Sequence, residues 1–498
     1  MSALSGFDSE AVGFESVAPI KKTGIEISTQ TCEFSECGAA SQTVLSKDIG
    51  CMTAPGELND DDGVLKEYPP PGLNDFLRKV VPGMMEQLEQ NDTEMLYNSS
   101  DSEDEEPVAA KLLQEMKVEG DGLGAGDHRS SILSVTWSSA GNSLALSIGQ
   151  TQHETWCQNP GLIKVYTTKR SEGDKLVHTL DISEKNCVTV LKYHPTVAAL
   201  LAYGTTSGEV VLCNLTNPSS NSYDEGLTSP SGCHGSRRVS ALYWADATLA
   251  NTFLTMQITS KGRRRGASDQ ILVSSGCDGT INVWQVNANL KVFENVVCYT
   301  LNTGKPAPDI TCFDFIKSFP LRGYDERTIA DVFAVGTKSG RLYLCKIKAH
   351  EEGEVDPVYQ MLEGHSACVL EVAFSYQKPG TFVSVSMDSE LRVYNINQLG
   401  PLKVFCLDVA ISCMSWLGPV PCVVLGLTDS EKEAVRVYNV SSGKVVPIEG
   451  LLGGDCVTCV AVSQSGCCKI AAGDSDHTLR VWELPARRIK FTSDILDL

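Results

Sequence analysis

The sequence holds no apolar run of the ~18 residues that a membrane-crossing helix needs, and its mean hydropathy is −0.07. Met1 to Glu15 lack the basic start and apolar stretch of a secretory signal. A cytosolic setting and no membrane partner are expected. No basic patch reaches the size that phosphate binding requires, and the net charge is −21, so no nucleic-acid partner is expected either. The motifs of hydrolytic and nucleotide chemistry are missing: there is neither a Gly-x-Ser-x-Gly elbow nor a Walker loop. The glycine run Gly120 to Gly126 follows a helical or loop segment and precedes a strand, the wrong order for a dinucleotide fingerprint, and reads as a hinge.

Cysteine is not scarce, at 19 residues, but Cys213, Cys298, Cys345, Cys406, Cys413 and Cys459 lie in apolar, strand-like runs. A free thiol there behaves as a small hydrophobe. Cys456 and Cys459 form a Cys-x-x-Cys with no second pair at zinc spacing, and residues three apart in a strand face opposite sides. No catalytic residue, metal or cofactor is expected. His194 and His365 stand at strand starts, where a structural hydrogen bond is the default, and Lys261–Arg265 reads as an exposed basic loop.

The negative charge is uneven. Residues 1–128 carry 26 acidic and 8 basic side chains, whereas the remaining 370 residues carry 36 and 33. Residues 1–72 are rich in Ser, Thr, Gly and acids, too poor in apolar surface to offset chain entropy, and read as a disordered acidic arm. Residues 73–128 read as short amphipathic helices with an acidic and Gly-rich linker. Leu73, Phe76, Leu77, Val80, Val81, Met84, Met85 and Leu88 repeat with helical spacing, one apolar stripe interrupted at Pro82-Gly83. Such a stripe is to be buried either on the chain's own propeller or on a separate protein, and the acidic linkers on both sides favour the second. A second short helix is expected over 107–118, with Pro107 at its first turn. Asn98 to Glu106 is a solvated acidic run.

Residues 129–498 repeat. Seven first strands read Ile132–Trp137, Val188–Tyr193, Val239–Trp244, Ile310–Phe315, Val369–Phe374, Ile411–Trp416 and Val457–Val462. Seven third strands end at Tyr166, Cys213, Trp284, Cys345, Tyr394, Tyr438 and Trp482, at intervals of 47, 71, 61, 49, 44 and 44. Four strands per unit of ~40–45 residues is the signature of a WD-type propeller. The expected fold is all-β: a seven-bladed β-propeller behind a disordered acidic arm that contains short helices. The turns Thr206-Ser207-Gly208, Cys277-Asp278-Gly279, Lys338-Ser339-Gly340, Met387-Asp388-Ser389 and Ser475-Asp476-His477 suit tight hairpins. Insertions fall at 150–160, 217–238, 247–269 and 316–331, the second and third assigned to the third unit. Fourth strands are expected at Leu176–Ile182 in the first blade and Arg488–Thr492 in the last.

The arm carries Thr29-Gln30-Thr31 and, twelve residues on, Ser41-Gln42-Thr43. Each is a short extended segment suited to adding to a sheet edge. With this layout, and with Asn74-Asp75-Phe76-Leu77-Arg78-Lys79-Val80, His194-Pro195-Thr196, Ser207-Gly208-Glu209-Val210 and Ala471-Ala472-Gly473-Asp474, the chain resembles WD-repeat dynein intermediate chains. The likeness covers the arm and all seven units, and runs closest to those of ciliary cytoplasmic dynein, the retrograde intraflagellar transport motor. The resemblance implies a non-catalytic scaffold in cilium assembly. Its propeller would bind the dynein heavy chain, and its arm would lie beside a second intermediate chain. Thr29, Gln30, Thr31, Ser41, Gln42 and Thr43 would hold a Thr-Gln-Thr-binding light chain, and the Leu73–Leu88 stripe a roadblock-type light chain. Cytoplasm, cytoskeleton, ciliary base and axoneme are the implied locations. Ser41 departs from the first Thr of the motif. Two alternatives share the fold: an axonemal outer-arm intermediate chain, and a ubiquitin-ligase substrate receptor. The receptor reading is weakened by Trp284-Gln285 and Trp482-Glu483, which lack the Trp-Asp-x-Arg of such receptors.

Overall fold

The structure, a computed structural model, describes residues 76–82, 108–118, 130–150, 160–168, 175–215, 226–261, 269–287, 292–303, 306–317, 331–348, 355–418, 420–428, 433–453, 456–463 and 468–484. The chain divides into two units, Met1–Ser102 and Glu103–Leu498. In the first, residues 76–82 form helix α1. The second is a ring of seven four-stranded antiparallel sheets.

The ring begins with β1 (Lys111–Lys117), which belongs to the last blade. Blade one is β2 (Ser130–Trp137), β3 (Ser143–Gln150), β4 (Gly161–Thr168) and β5 (Leu176–Glu184). Blade two is β6 (Val188–Tyr193), β7 (Leu200–Thr205), β8 (Val210–Asn214) and the two-residue β9 (Leu227–Thr228). Blade three is β10 (Val239–Trp244), β11 (Asp269–Gly276), β12 (Thr280–Asn287) and β13 (Phe293–Thr300), with helix α2 (Ala247–Lys261) between its first two strands. Blade four is β14 (Ile310–Phe315), β15 (Val332–Thr337), β16 (Leu342–Lys346) and β17 (Val358–Leu362). Blade five is β18 (Val369–Phe374), β19 (Thr381–Ser386), β20 (Glu390–Asn395) and β21 (Lys403–Cys406). Blade six is β22 (Ile411–Trp416), β23 (Cys422–Leu427), β24 (Val435–Asn439) and β25 (Lys444–Val445). Blade seven is β26 (Val457–Val462), β27 (Lys469–Asp474) and β28 (Thr478–Glu483), completed by β1 in the order β1-β28-β27-β26. We call the face bearing the second-to-third-strand turns upper, and the opposite face lower.

Strands alternate their side chains between two faces, and here both faces of each blade pack on a neighbour. The core is therefore a set of clusters between blades. Val383, Val385 and Leu391 of blade five meet Ile411, Met414 and Trp416 of blade six. Leu144, Leu146 and Ile148 of blade one meet Ala471, Leu479 and Val481 of blade seven. Every first strand breaks register with its second strand at the same place, as between Val188 and Val190 or Val369 and Glu371. At three of these bulges a threonine hydroxyl reaches the next blade. Thr189 donates to Val239 O at 2.6 Å, Thr311 to Val369 O at 2.6 Å, and Thr458 to Ile132 O across the ring seam.

The tight turns need a residue at positive φ. Gly208, Gly279 and Gly340 supply it at +85°, +83° and +82°. In blades five and seven Ser389 and His477 occupy the same position at +61° and +62°, a conformation that non-glycine residues adopt rarely.

Several expectations change. The helix expected over 107–118 is a strand, β1, so the propeller takes in residues ahead of 129. Its sequence KLLQEMK favours a helix in isolation, but pairing along β28 from Lys111↔Glu483 to Lys117↔Thr478 overrides local preference. β1 therefore fills the fourth-strand place that had been assigned to 488–492, a segment outside the described residues. The stretch 217–238 is not an insertion of the third unit alone, because it contains β9 of blade two. The stretch 247–269 holds α2. Asp246 Oδ1 accepts from Leu249 N at 2.8 Å as its cap, and Leu249, Ala250, Phe253 and Leu254 are buried in the core shared by blades three and four.

Ring closure is specific. The Gln114 side chain bonds the backbone of Leu176 in blade one twice, Leu176 N to Oε1 at 2.8 Å and Nε2 to Leu176 O at 3.1 Å. Arg480 links Glu115 at 3.0 Å and buried Asp474 at 2.7 Å. At the upper end Val118 N donates to His477 O at 2.8 Å, and the His477 ring meets Ser130 Oγ at 2.7 Å.

Candidate partner-binding surfaces

Helix α1 carries the part of the apolar stripe that is described. Phe76 is 60% exposed, Leu77 41% and Val81 41%, while Val80 is half-buried. Exposed aromatic and aliphatic side chains side by side on a helix are the pattern of a face awaiting a partner. Leu73, Met84, Met85 and Leu88 lie outside the described residues. So do Thr29, Gln30, Thr31, Ser41, Gln42 and Thr43, and Lys261–Arg265 apart from the backbone of Lys261.

On the propeller two constellations look chemical at first sight. In blade three, His234 Nε2 meets Ser274 Oγ at 2.8 Å, and its Nδ1 lies 3.5 Å from Asp278 Oδ1. In blade five, His365 Nε2 meets Ser384 Oγ at 2.7 Å and Nδ1 meets Asp388 Oδ2 at 3.2 Å. A nucleophile must be reachable, yet Ser274 and Ser384 are fully buried, and Trp284 Nε1 already donates to Ser274 Oγ at 2.8 Å. These relays pin the connector between blades to the turn of the following blade. Burial holds His365 below its ordinary value despite Asp388. Burial alone would raise the Asp388 carboxyl, but His365 and the N–H groups of Ser366 and Glu390 outweigh it and hold it low. His365 fulfils the structural role expected of it, as does His194, whose Nδ1 accepts from Val197 N at 3.0 Å. His234 went unnoticed because Gly232-Cys233-His234 lies in a long connector and separates the glycine from the histidine.

His365, Asp388 and Glu390 also stand close enough to share a cation, but Arg392 Nε holds Glu390 Oε2 at 2.8 Å and the other two bond one another. The described cysteines are free thiols. Burial pushes Cys459 and Cys422 up to about 12, and raises Cys456 as well. Neutral thiols are poor nucleophiles and poor metal ligands.

The comparisons with known proteins agree with this geometry. The WD domain, G-beta repeat family model matches residues 448–483, which span blade seven's own three strands. Cytoplasmic dynein 2 intermediate chain 2 of Mus musculus is 20% identical over 486 residues, 93% of this chain and 85% of that protein. The protein of the same name from Homo sapiens is 21% identical over 437 residues, 84% and 77% of the two chains. Over most of its length the chain is similar to dynein 2 intermediate chains, and it carries a WD repeat. With the buried relays accounted for as propeller fasteners, the exposed face of α1 is the described surface of most interest. No helix among the described residues is long and apolar enough to cross a membrane.

Proposed function

We propose that this chain is a non-catalytic scaffold of a dynein motor that supports retrograde intraflagellar transport and cilium assembly. It would work in the cytoplasm, at the ciliary base and on the axoneme. The propeller holds the heavy chain. The arm lies beside a second intermediate chain, with Thr29-Gln30-Thr31 and Ser41-Gln42-Thr43 in the groove of a dimeric light chain and the α1 face against a roadblock-type light chain. The observation that carries the reading is the exposure of Phe76, Leu77 and Val81 on one short helix, together with relatives that match nearly end to end. Two weak sites on one arm reinforce each other, because the first contact sets an effective concentration of order millimolar for the second.

Affinity capture with the full-length chain tests this. The wild type is expected to bring down a dynein heavy chain and both classes of light chain. Gln30→Ala with Gln42→Ala should lose the Thr-Gln-Thr-binding light chain selectively, and Phe76→Ser with Leu77→Ser the roadblock-type one. Recovery of a ligase adaptor with no dynein subunit would overturn the proposal and leave only the propeller.

A further inference from the structure

Each first strand places one residue just past its bulge. In six blades this residue is Ser134, Val190, Ala241, Cys312, Cys413 or Cys459, all small or apolar; in blade five it is Glu371. Its charge is felt by side chains in three other blades: Lys192 of blade two, Cys312 and Asp314 of blade four, and Cys413 of blade six. Only a position near the ring axis lies close to all of these. Glu371 is half-buried on its first strand. No hydrogen bond from a described residue reaches its carboxylate. Burial drives the carboxyl up to about 7; Lys192 opposes the rise and Asp314 adds to it.

The channel has a direction. Glu371 pairs with Val385, and its counterpart in blade two, Val190, pairs with Gly204. Lys192 lies two residues nearer the lower face, opposite Ala202. The lower end of the neighbouring blades also holds Lys317, which donates to Asp314 Oδ1 at 2.8 Å beneath Tyr243 and Tyr376. A cation arriving from above meets the carboxylate first, whereas one arriving from below meets Lys192.

We propose that Glu371 is the receptor group of a cation site in the upper half of the central channel, filled by the lysine or arginine side chain of a partner polypeptide docked on the upper face. A divalent metal is the poorer fit, since calcium and magnesium seek about six or more oxygen ligands, zinc seeks about four ligands, and burial keeps the Cys312 and Cys413 thiols neutral. An ammonium or guanidinium head needs one carboxylate and supplies the hydrogen bonds that Glu371 lacks. The residue also burdens the fold. Its ionised form is disfavoured in the folded chain, so above pH 7 the carboxylate subtracts stability, and a neutral isostere would remove that loss. A group that weakens the empty fold fits a role in binding.

Thermal unfolding of the full-length protein at pH 8 and fixed ionic strength tests this with two probes. One is n-butylammonium, the head of a lysine side chain; the other is tetramethylammonium, of equal charge but without donors. The wild type is expected to gain about 2 °C more from the first than from the second at several times its Kd. Glu371→Gln should unfold at higher temperature than wild type and lose the difference between probes. Lys192→Met should enlarge that difference, because it removes a competing cation. Equal shifts by both probes in wild type and Glu371→Gln would overturn the proposal. So would a wild type stabilised by Lys192 itself, seen as a lower melting temperature of Lys192→Met that Glu371→Gln abolishes.

Discussion

Ser274 shows how much one hydroxyl holds in this propeller. It accepts from Trp284 and meets His234, whose other nitrogen faces Thr280 Oγ1 at 3.0 Å and Asp278. Ser274→Ala removes the partner of the indole N–H and leaves the imidazole Nε2 with only a long contact, 3.5 Å, to Asn282 Nδ2. Stranding buried polar groups costs about 1–3 kcal/mol each, so a loss of about 2–4 kcal/mol is expected in denaturant unfolding. Ser240→Ala, beside the channel, would lose only its bonds to Ser275 and serves as the control. Blade five repeats the relay with Tyr394 in place of the tryptophan; its hydroxyl donates to Glu363 O at 2.6 Å instead of to the serine. The histidine of blade five was legible because Gly364-His365 keeps the spacing of the repeat. The histidine of blade three was not, because one inserted cysteine breaks the dipeptide while leaving the three-dimensional bond intact.

Among the elements, the first strands were the most legible. Alternation ending in an aromatic or valine side chain marks a half-buried strand, and the structure starts β6, β10, β14, β18, β22 and β26 at the expected residues. β1 was illegible because a lone strand has no local reason to be one; its partner is more than 350 residues away in sequence. α2 was illegible for a different reason. Its threonines and weakly amphipathic sequence suggest a loop, and the helix depends on the Asp246 cap and on Phe253 packing edge-on against Phe315, ring centroids 6.1 Å apart. The closing strand can be tested directly. Gln114→Ala removes two backbone-like bonds to Leu176 and is expected to cost about 1–3 kcal/mol. A chain starting at Glu103 should unfold cooperatively, and one starting at Glu119 should not. Equal denaturation curves for those two chains would show that β1 is dispensable.

For the whole molecule, pH acts through groups with opposite slopes. His194, His365 and His477 are all held below 6.5, chiefly by burial. Their neutral forms belong to the fold, so the stability they lend is present above pH 6.5 and drains as pH falls through their folded values. Glu371 runs the other way. Folded, its carboxyl titrates near 7, well above the usual 4.5, so acidification from pH 7 recovers stability. The melting temperature of wild type should therefore fall less between pH 7 and 6 than that of Glu371→Gln. Parallel profiles for the two proteins would contradict this assignment of slopes. The charge of the chain divides in the same uneven way as its structure. The arm holds nearly all the excess acid, and the propeller is close to neutral, which leaves packing between blades to set the stability of the ring.

β1 gives that division a mechanical side. The arm joins the ring at the strand that closes it. A load drawn through the arm along the ring axis passes into β1 as shear, with the bonds to β28 strained together instead of peeling one after another. Gln114 and Glu115 spread the same load to blade one and to Arg480. The strand that fastens the hoop is also the strand by which the arm enters it, so tension along the chain and ring integrity meet at a single strand.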